Sequence, residues 1–122
     1  MILYKKNMIF ASIKWHFSGN YYAFYYCTSL TSILIPEGVT IIYKDAFSGC
    51  SSLASIQLPA SLTDIGMYAF QSCNKLTGVY ITDLAAWCNI SFSDSSSNPL
   101  GYAENLYING ELATDIIIPD SV

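Results

Sequence analysis

The residues with the widest chemical repertoire in this chain are four cysteines, one histidine and nine acids. Cys27, Cys50 and Cys73 recur at intervals of 23 residues, while Cys88 stands outside that series. Thiols at a fixed interval suit a disulfide, a metal site or a row of small core residues. Zinc is disfavoured, because neither a C-x-x-C pair nor a nearby histidine accompanies them. If the interval is one turn of a stacked fold, neighbouring turns lie about 4.8 Å apart, and a disulfide between turns stays sterically open. Free cysteine is among the most buried residue types, so buried thiols are the favoured reading. Cys88, beside Trp87, reads as packed too.

Nucleophilic chemistry has little to work with. His16 sits between Trp15 and Phe17, which suits an aromatic cluster better than a catalytic base. Neither a G-x-S-x-G elbow nor a glycine-rich phosphate loop is present. Asp64, Asp83, Asp94, Glu104, Asp115 and Asp120 are dispersed over turns and lack the close spacing of a calcium loop. Asn89-Ile90-Ser91 is formally a glycosylation sequon, relevant in a eukaryotic secretory host. Five lysines without an arginine, against nine acids, give a net charge of −4. A nucleic-acid surface needs a basic patch with forked guanidinium donors, and that class is excluded. The chain is 52% apolar and 11% charged, hence not disordered, and no apolar run is long enough to span a membrane. We expect no enzyme activity, cofactor or metal.

The elements that hold these residues emerge from internal repetition. Phe24, Phe47 and Phe70 share the spacing of the cysteines, each preceded by alanine. Leu30, Leu53 and Leu76 follow in step, then Ile33, Ile56 and Val79, then Ile35, Leu58 and Ile81. Leu53, Ile56 and Leu58 form L-x-x-I-x-L, whose last two positions alternate with a polar residue as a half-buried strand does. Pro36 and Pro59 lack an N–H and end each strand. Val39 and Ile42, like Leu62 and Ile65, return the chain to the core, and Ala69-Phe70 is expected on a short helical turn. Each inward side chain contributes roughly 1.5–3 kcal/mol when buried, which a single unit cannot achieve without stacked neighbours.

These words, C-T-S-L-T-S-I-L-I-P-E-G-V-T-I-I from Cys27 and A-F-S-G-C-S-S-L-A-S-I-Q-L-P-A-S-L-T-D-I-G from Ala46, resemble the BspA-type leucine-rich repeat of bacterial and protist surface proteins. Ser61 stands where the common leucine-rich pattern has Asn or Cys, so the backbone bonding of an Asn ladder must come from elsewhere. The expected fold is a mainly β repeat protein: a right-handed leucine-rich-repeat β-solenoid with ~23-residue repeats, short parallel strands and little helix. Residues 1–22 form a non-repeat N-terminal segment and residues 23–122 carry the repeats. The N-terminal stretch is basic, with Lys5, Lys6 and Lys14, but its apolar part is short and broken for a signal peptide.

The period breaks after Ile81, and residues 83–115 read as an irregular insertion. Asp83 is a helix N-cap for the following Leu84 to Cys88. Ser93 to Ser97, closed by Asn98-Pro99, read as a flexible polar loop able to act as a hinge for domain swapping. Asn109-Gly110, between Leu106-Tyr107-Ile108 and Glu111 to Ala113, signals a β-hairpin with a primed turn. Ile116 to Val122 restart the repeat and stop mid-unit, which reads as a truncated solenoid. Such an open end, together with opposite charge in the N-terminal stretch and the remainder, leads us to expect a homo-oligomer.

What remains is surface. Between the inward positions of each strand, Leu34, Gln57 and Tyr80 face outward, with Tyr107 in the hairpin strand and Ile117 in the restart as equivalents. Tyrosine in such a column suits recognition. Tyr21, Tyr22, Tyr25 and Tyr26 are expected to seal the N-terminal end. The resemblance implies a non-catalytic protein-binding module of a cell-surface or secreted protein, adhering to a host, matrix or neighbouring-cell protein. The alternative is a structural spacer solenoid with no ligand.

Overall fold

The structure is a computed structural model that describes residues 22–114 and residue 120. His16, Tyr21, Ile117, the three N-terminal lysines and, Asp120 apart, the restarted repeat on which the expectation of self-association rests lie outside the described residues.

Two sheets face each other across one apolar core. The larger contains β1 (Ser32–Leu34), β3 (Ser55–Gln57), β5 (Gly78–Ile81) and β7 (Asn105–Ile108), all parallel and adjacent in that order. The smaller contains β2 (Ile41–Ile42), β4 (Asp64–Ile65) and β6 (Ser91–Phe92), also parallel. This is the stacked, strand-rich architecture of a leucine-rich repeat, with one helix of five residues among those described, α1 (Leu84–Cys88). Register follows from alternation. Ile33, Ile56, Val79 and Leu106 lie side by side and point inward, and Ile42 and Ile65 meet them from the smaller sheet.

A turn face closes the third side. Here Phe24, Phe47 and Phe70 form a continuous stack, with centroids 5.3 and 5.4 Å apart and planes within 7° and 4°. All three rings are buried, as are Cys27, Cys50, Cys73, Leu30, Leu53 and Leu76. The helical turn expected at Ala69-Phe70 is absent. Tyr22, Asp45 and Tyr68, and likewise Tyr26, Gly49 and Ser72, have positive φ, a left-handed step that interrupts any helix. Its effect is to turn alternate amides along the stack. Asp45, Phe47 and Gly49 donate to Met67, Ala69 and Gln71 of the next rung, whereas Ala46, Ser48 and Cys50 close local turns.

The break in the period is confined to one place. From β3 to β5 the offset is 23 residues, but from β4 to β6 and from β5 to β7 it is 27. The four extra residues therefore fall between Ile81 and Ser91, where α1 bulges out, capped by the Asp83 carboxylate accepting from Ala86 N at 3.0 Å. Beyond it the stretch that reads from sequence as an insertion pairs with both sheets. The serine loop folds into short turns. Ser95–Ser97 and Pro99–Gly101 form 3-10 turns, and Ser97 is fully buried, its hydroxyl accepting from Asp94 N and donating to Asp94 O. The hairpin is present: β8 (Glu111–Leu112) pairs antiparallel with β7, and Asn109 and Gly110 both have positive φ, as a primed turn requires.

Candidate binding face

The cysteines resolve first. No disulfide joins the four cysteines; Cys27, Cys50 and Cys73 are buried while Cys88 is half-buried against the core. They are more than filler. Cys50 Sγ donates to Phe24 O and Cys73 Sγ to Phe47 O, each at 3.1 Å, linking successive rungs inside the core. Burial pushes the Cys73 thiol up to about 12, against the opposing effect of a backbone hydrogen bond at Cys50. Burial likewise pushes the Cys50 thiol up, assisted by neighbouring Cys73. Such thiols stay protonated near neutrality and make poor nucleophiles or metal ligands. Among the described residues no group of three or more His, Cys, Asp or Glu is placed to hold a metal ion.

The missing Asn ladder is replaced by several short bonds. Ser61 Oγ accepts from Gly38 N and donates to Val39 O, Thr63 and Thr77 hydroxyls donate to Thr40 O and Ala54 O, and Glu37 accepts from Ala60 N. None of these partners is legible from a single repeat, because each bond spans two rungs.

The outward column lies on the larger sheet. Leu34, Gln57, Tyr80 and Tyr107 are direct register partners across β1, β3, β5 and β7. Gln57 is exposed and the other three are half-buried. The Tyr80 and Tyr107 rings stack, 4.4 Å apart and 7° from parallel. Sequence reasoning missed the row beside them: Ser32, Ser55, Gly78 and Asn105, two residues earlier on the same face. Gly78 is the key to it. A Cβ there would lie 3.1 Å from Tyr80 Cε1 and 3.3 Å from Tyr107 Cε2, so the glycine lets both rings settle onto the sheet. Where the row carries serines instead, a shallow depression of about 280 Å³ opens, lined by Ser32, Ile33, Leu34, Ser55, Gln57 and Tyr80.

The tyrosines of the first described turn, with Tyr21 outside the described residues, line the turn face. Tyr22, Tyr25 and Tyr26 are about half exposed and pack edge to face, because Phe24 takes the inward position of that turn. Asn89 of the sequon is exposed at the C-terminal end of α1.

Stacked short strands, a buried phenylalanine-cysteine-leucine interior and a flat outward sheet define a repeat protein of the leucine-rich class. A family model, the BspA type leucine rich repeat region (6 copies), matches residues 19–121, and the chain belongs to that family. The crystal structure of a leucine rich repeat protein from T. pallidum is similar, with 35% identity, 52% of this chain and 36% of that chain covered, and a TM-score of 0.48. The chain thus spans about a third of that protein. No curated protein matches the chain. Leucine-rich repeat domains generally mediate protein–protein contact, proteins with BspA-type repeats are typically surface proteins, and the family is generally non-catalytic. Among the described residues no helix is long and apolar enough to cross a membrane.

Proposed function

We propose that this chain is a protein-binding module of a cell-surface or secreted protein, and that it adheres to a partner protein through the outward face of its larger sheet. The observation that carries this reading is the unbroken register of Leu34, Gln57, Tyr80 and Tyr107 over four strands. Tyr80 and Tyr107 supply rigid aromatic area with little side-chain entropy to lose, and Gln57 supplies an adaptable hydrogen-bonding group. Ile117 would extend the column from outside the described residues. With only uncharged residues in the column, the proposed contact rests on packing and hydrogen bonding, and binding should depend weakly on salt.

The test is capture of host matrix proteins by the wild type and by the combined variant Leu34→Ser, Tyr80→Ser, Tyr107→Ser. Loss of capture in the variant supports the face. Equal capture by both counts against the face, and capture by neither favours a spacer without a ligand.

A further inference from the structure

The depression beside Tyr80 has a chemistry of its own. Tyr80 stands between Gln57 of β3 and Tyr107 of β7. Because Tyr107 stacks on one side of its ring, the other side looks toward β3 and forms a wall of the depression. Ser32 and Ser55 bring hydroxyls, Gln57 brings an amide, and Leu34 brings an apolar rim. Every lining residue is uncharged. A flat ring laid over Ser55 would therefore become a third layer on the two stacked tyrosines, with donors and acceptors around its edge.

We infer that this depression binds an uncharged hexose residue of a glycan, which makes glycosylated proteins the partner class of the face. The inference rests on the outward sheet being the binding surface. A pyranose presents an apolar C–H face to the Tyr80 ring and a rim of hydroxyls to Ser32, Ser55 and Gln57. Serine and glutamine groups both donate and accept, so they match hydroxyls whose orientation varies between sugars. An anionic sugar gains nothing here, since no cationic residue lines the depression and the chain carries a net charge of −4. The volume, about 280 Å³, falls just below the range for small-molecule pockets, roughly 300 Å³ and above, and suits a single sugar residue of a longer glycan.

The experiment is an amide-resolved NMR titration with lactose, cellobiose, maltose, mannobiose and chitobiose, alongside sialyllactose and the dipeptide Trp-Gly. The expected result is a saturable response to at least one neutral disaccharide, centred on Ser32, Ser55 and Gln57. Tyr80→Ala, at an outward half-buried position, should weaken it about tenfold. Gln57→Ala should weaken it as well, whereas Tyr25→Ala on the turn face should leave it unchanged. No saturable response to any of the five sugars, a response undiminished in Tyr80→Ala, or a response to Trp-Gly alone overturns the inference. Matrix-protein capture before and after enzymatic glycan removal separates the two readings. Capture that survives glycan removal, with no response to sugars, sinks the sugar site and leaves the protein-binding face standing. A sugar response without any protein capture does the reverse.

Discussion

On the turn face, Asp45, Phe47 and Gly49 hand their three amides to three backbone carbonyls of the next rung. One rung further on, the equivalent amides of Tyr68, Phe70 and Ser72 find a carboxylate, a carbonyl and a phenol: Asp94 Oδ1 at 3.4 Å, Ser96 O at 3.0 Å and Tyr102 Oη at 3.0 Å. The core changes in parallel. At the 27-residue offset shared by β5 and β7, Ser97 follows Phe70, Leu100 follows Cys73 and Ala103 follows Leu76. The difference teaches that stacking distance and strand register are conserved while the groups that hold them are exchanged. Side chains stand in where the backbone of the longer rung no longer reaches.

The comparison breaks or sharpens most strongly at the phenylalanine stack. Phe47 has a ring against each face and no exposure. Phe47→Ala should cost about 3–5 kcal/mol in urea unfolding. Ser97→Ala, one repeat position beyond Phe70, removes a small hydroxyl bonded to Asp94 and should cost about 1 kcal/mol. Equal costs would mean that the two rungs are not held differently.

A smaller effect is expected from the thiols. Cys50→Ala removes both sulfur packing and the bond to Phe24 O, at about 1–3 kcal/mol. With Cys73 held at about 12 and unfolded thiols ionising near about 8.5, their contribution is intact below that pH and is lost as pH rises toward the folded value. The urea midpoint should therefore fall between pH 7.5 and 10, and fall less in the Cys50→Ala, Cys73→Ala double variant. In the native state a maleimide should label half-buried Cys88 well before buried Cys27, Cys50 and Cys73.

The smallest effects belong to the substitute acceptors. Asp94→Ala should cost about 1 kcal/mol, and Tyr102→Phe about 0.5–1 kcal/mol, since the Ser72 amide is exposed enough to turn to water. Hydrogen exchange should speed up at Tyr68 and Ser72 respectively and stay unchanged at Phe70.

Strands β1, β3 and β5, their inward residues and their outward residues were legible because a 23-residue period repeats polarity in all three and proline after the first two. The third-to-fourth rung step was not, because four residues enter at α1 and Ser97 then replaces phenylalanine, so composition resembles a loop where the chain still pairs. The left-handed steps were hidden for another reason. Tyr22, Asp45 and Tyr68, like Tyr26, Gly49 and Ser72, share a backbone conformation without a single residue type in common to all. The depression was hidden as well, since it depends on what Gly78 allows its neighbours to do. A pattern of inward residues carries no record of outward ring packing.

The account stands or falls on which surface meets a partner, since tyrosines reach the surface on both the sheet, where they are half-buried, and the turn face, where they are exposed. The direct measurement is biolayer interferometry with an immobilised matrix glycoprotein. It would compare wild type, the sheet-face variant Leu34→Ser, Tyr80→Ser, Tyr107→Ser, and a matched turn-face variant Tyr22→Ser, Tyr25→Ser, Tyr68→Ser. The expected result is at least a tenfold loss of affinity for the first variant and less than a twofold change for the second. The opposite ranking would contradict it and move the binding surface to the turn face.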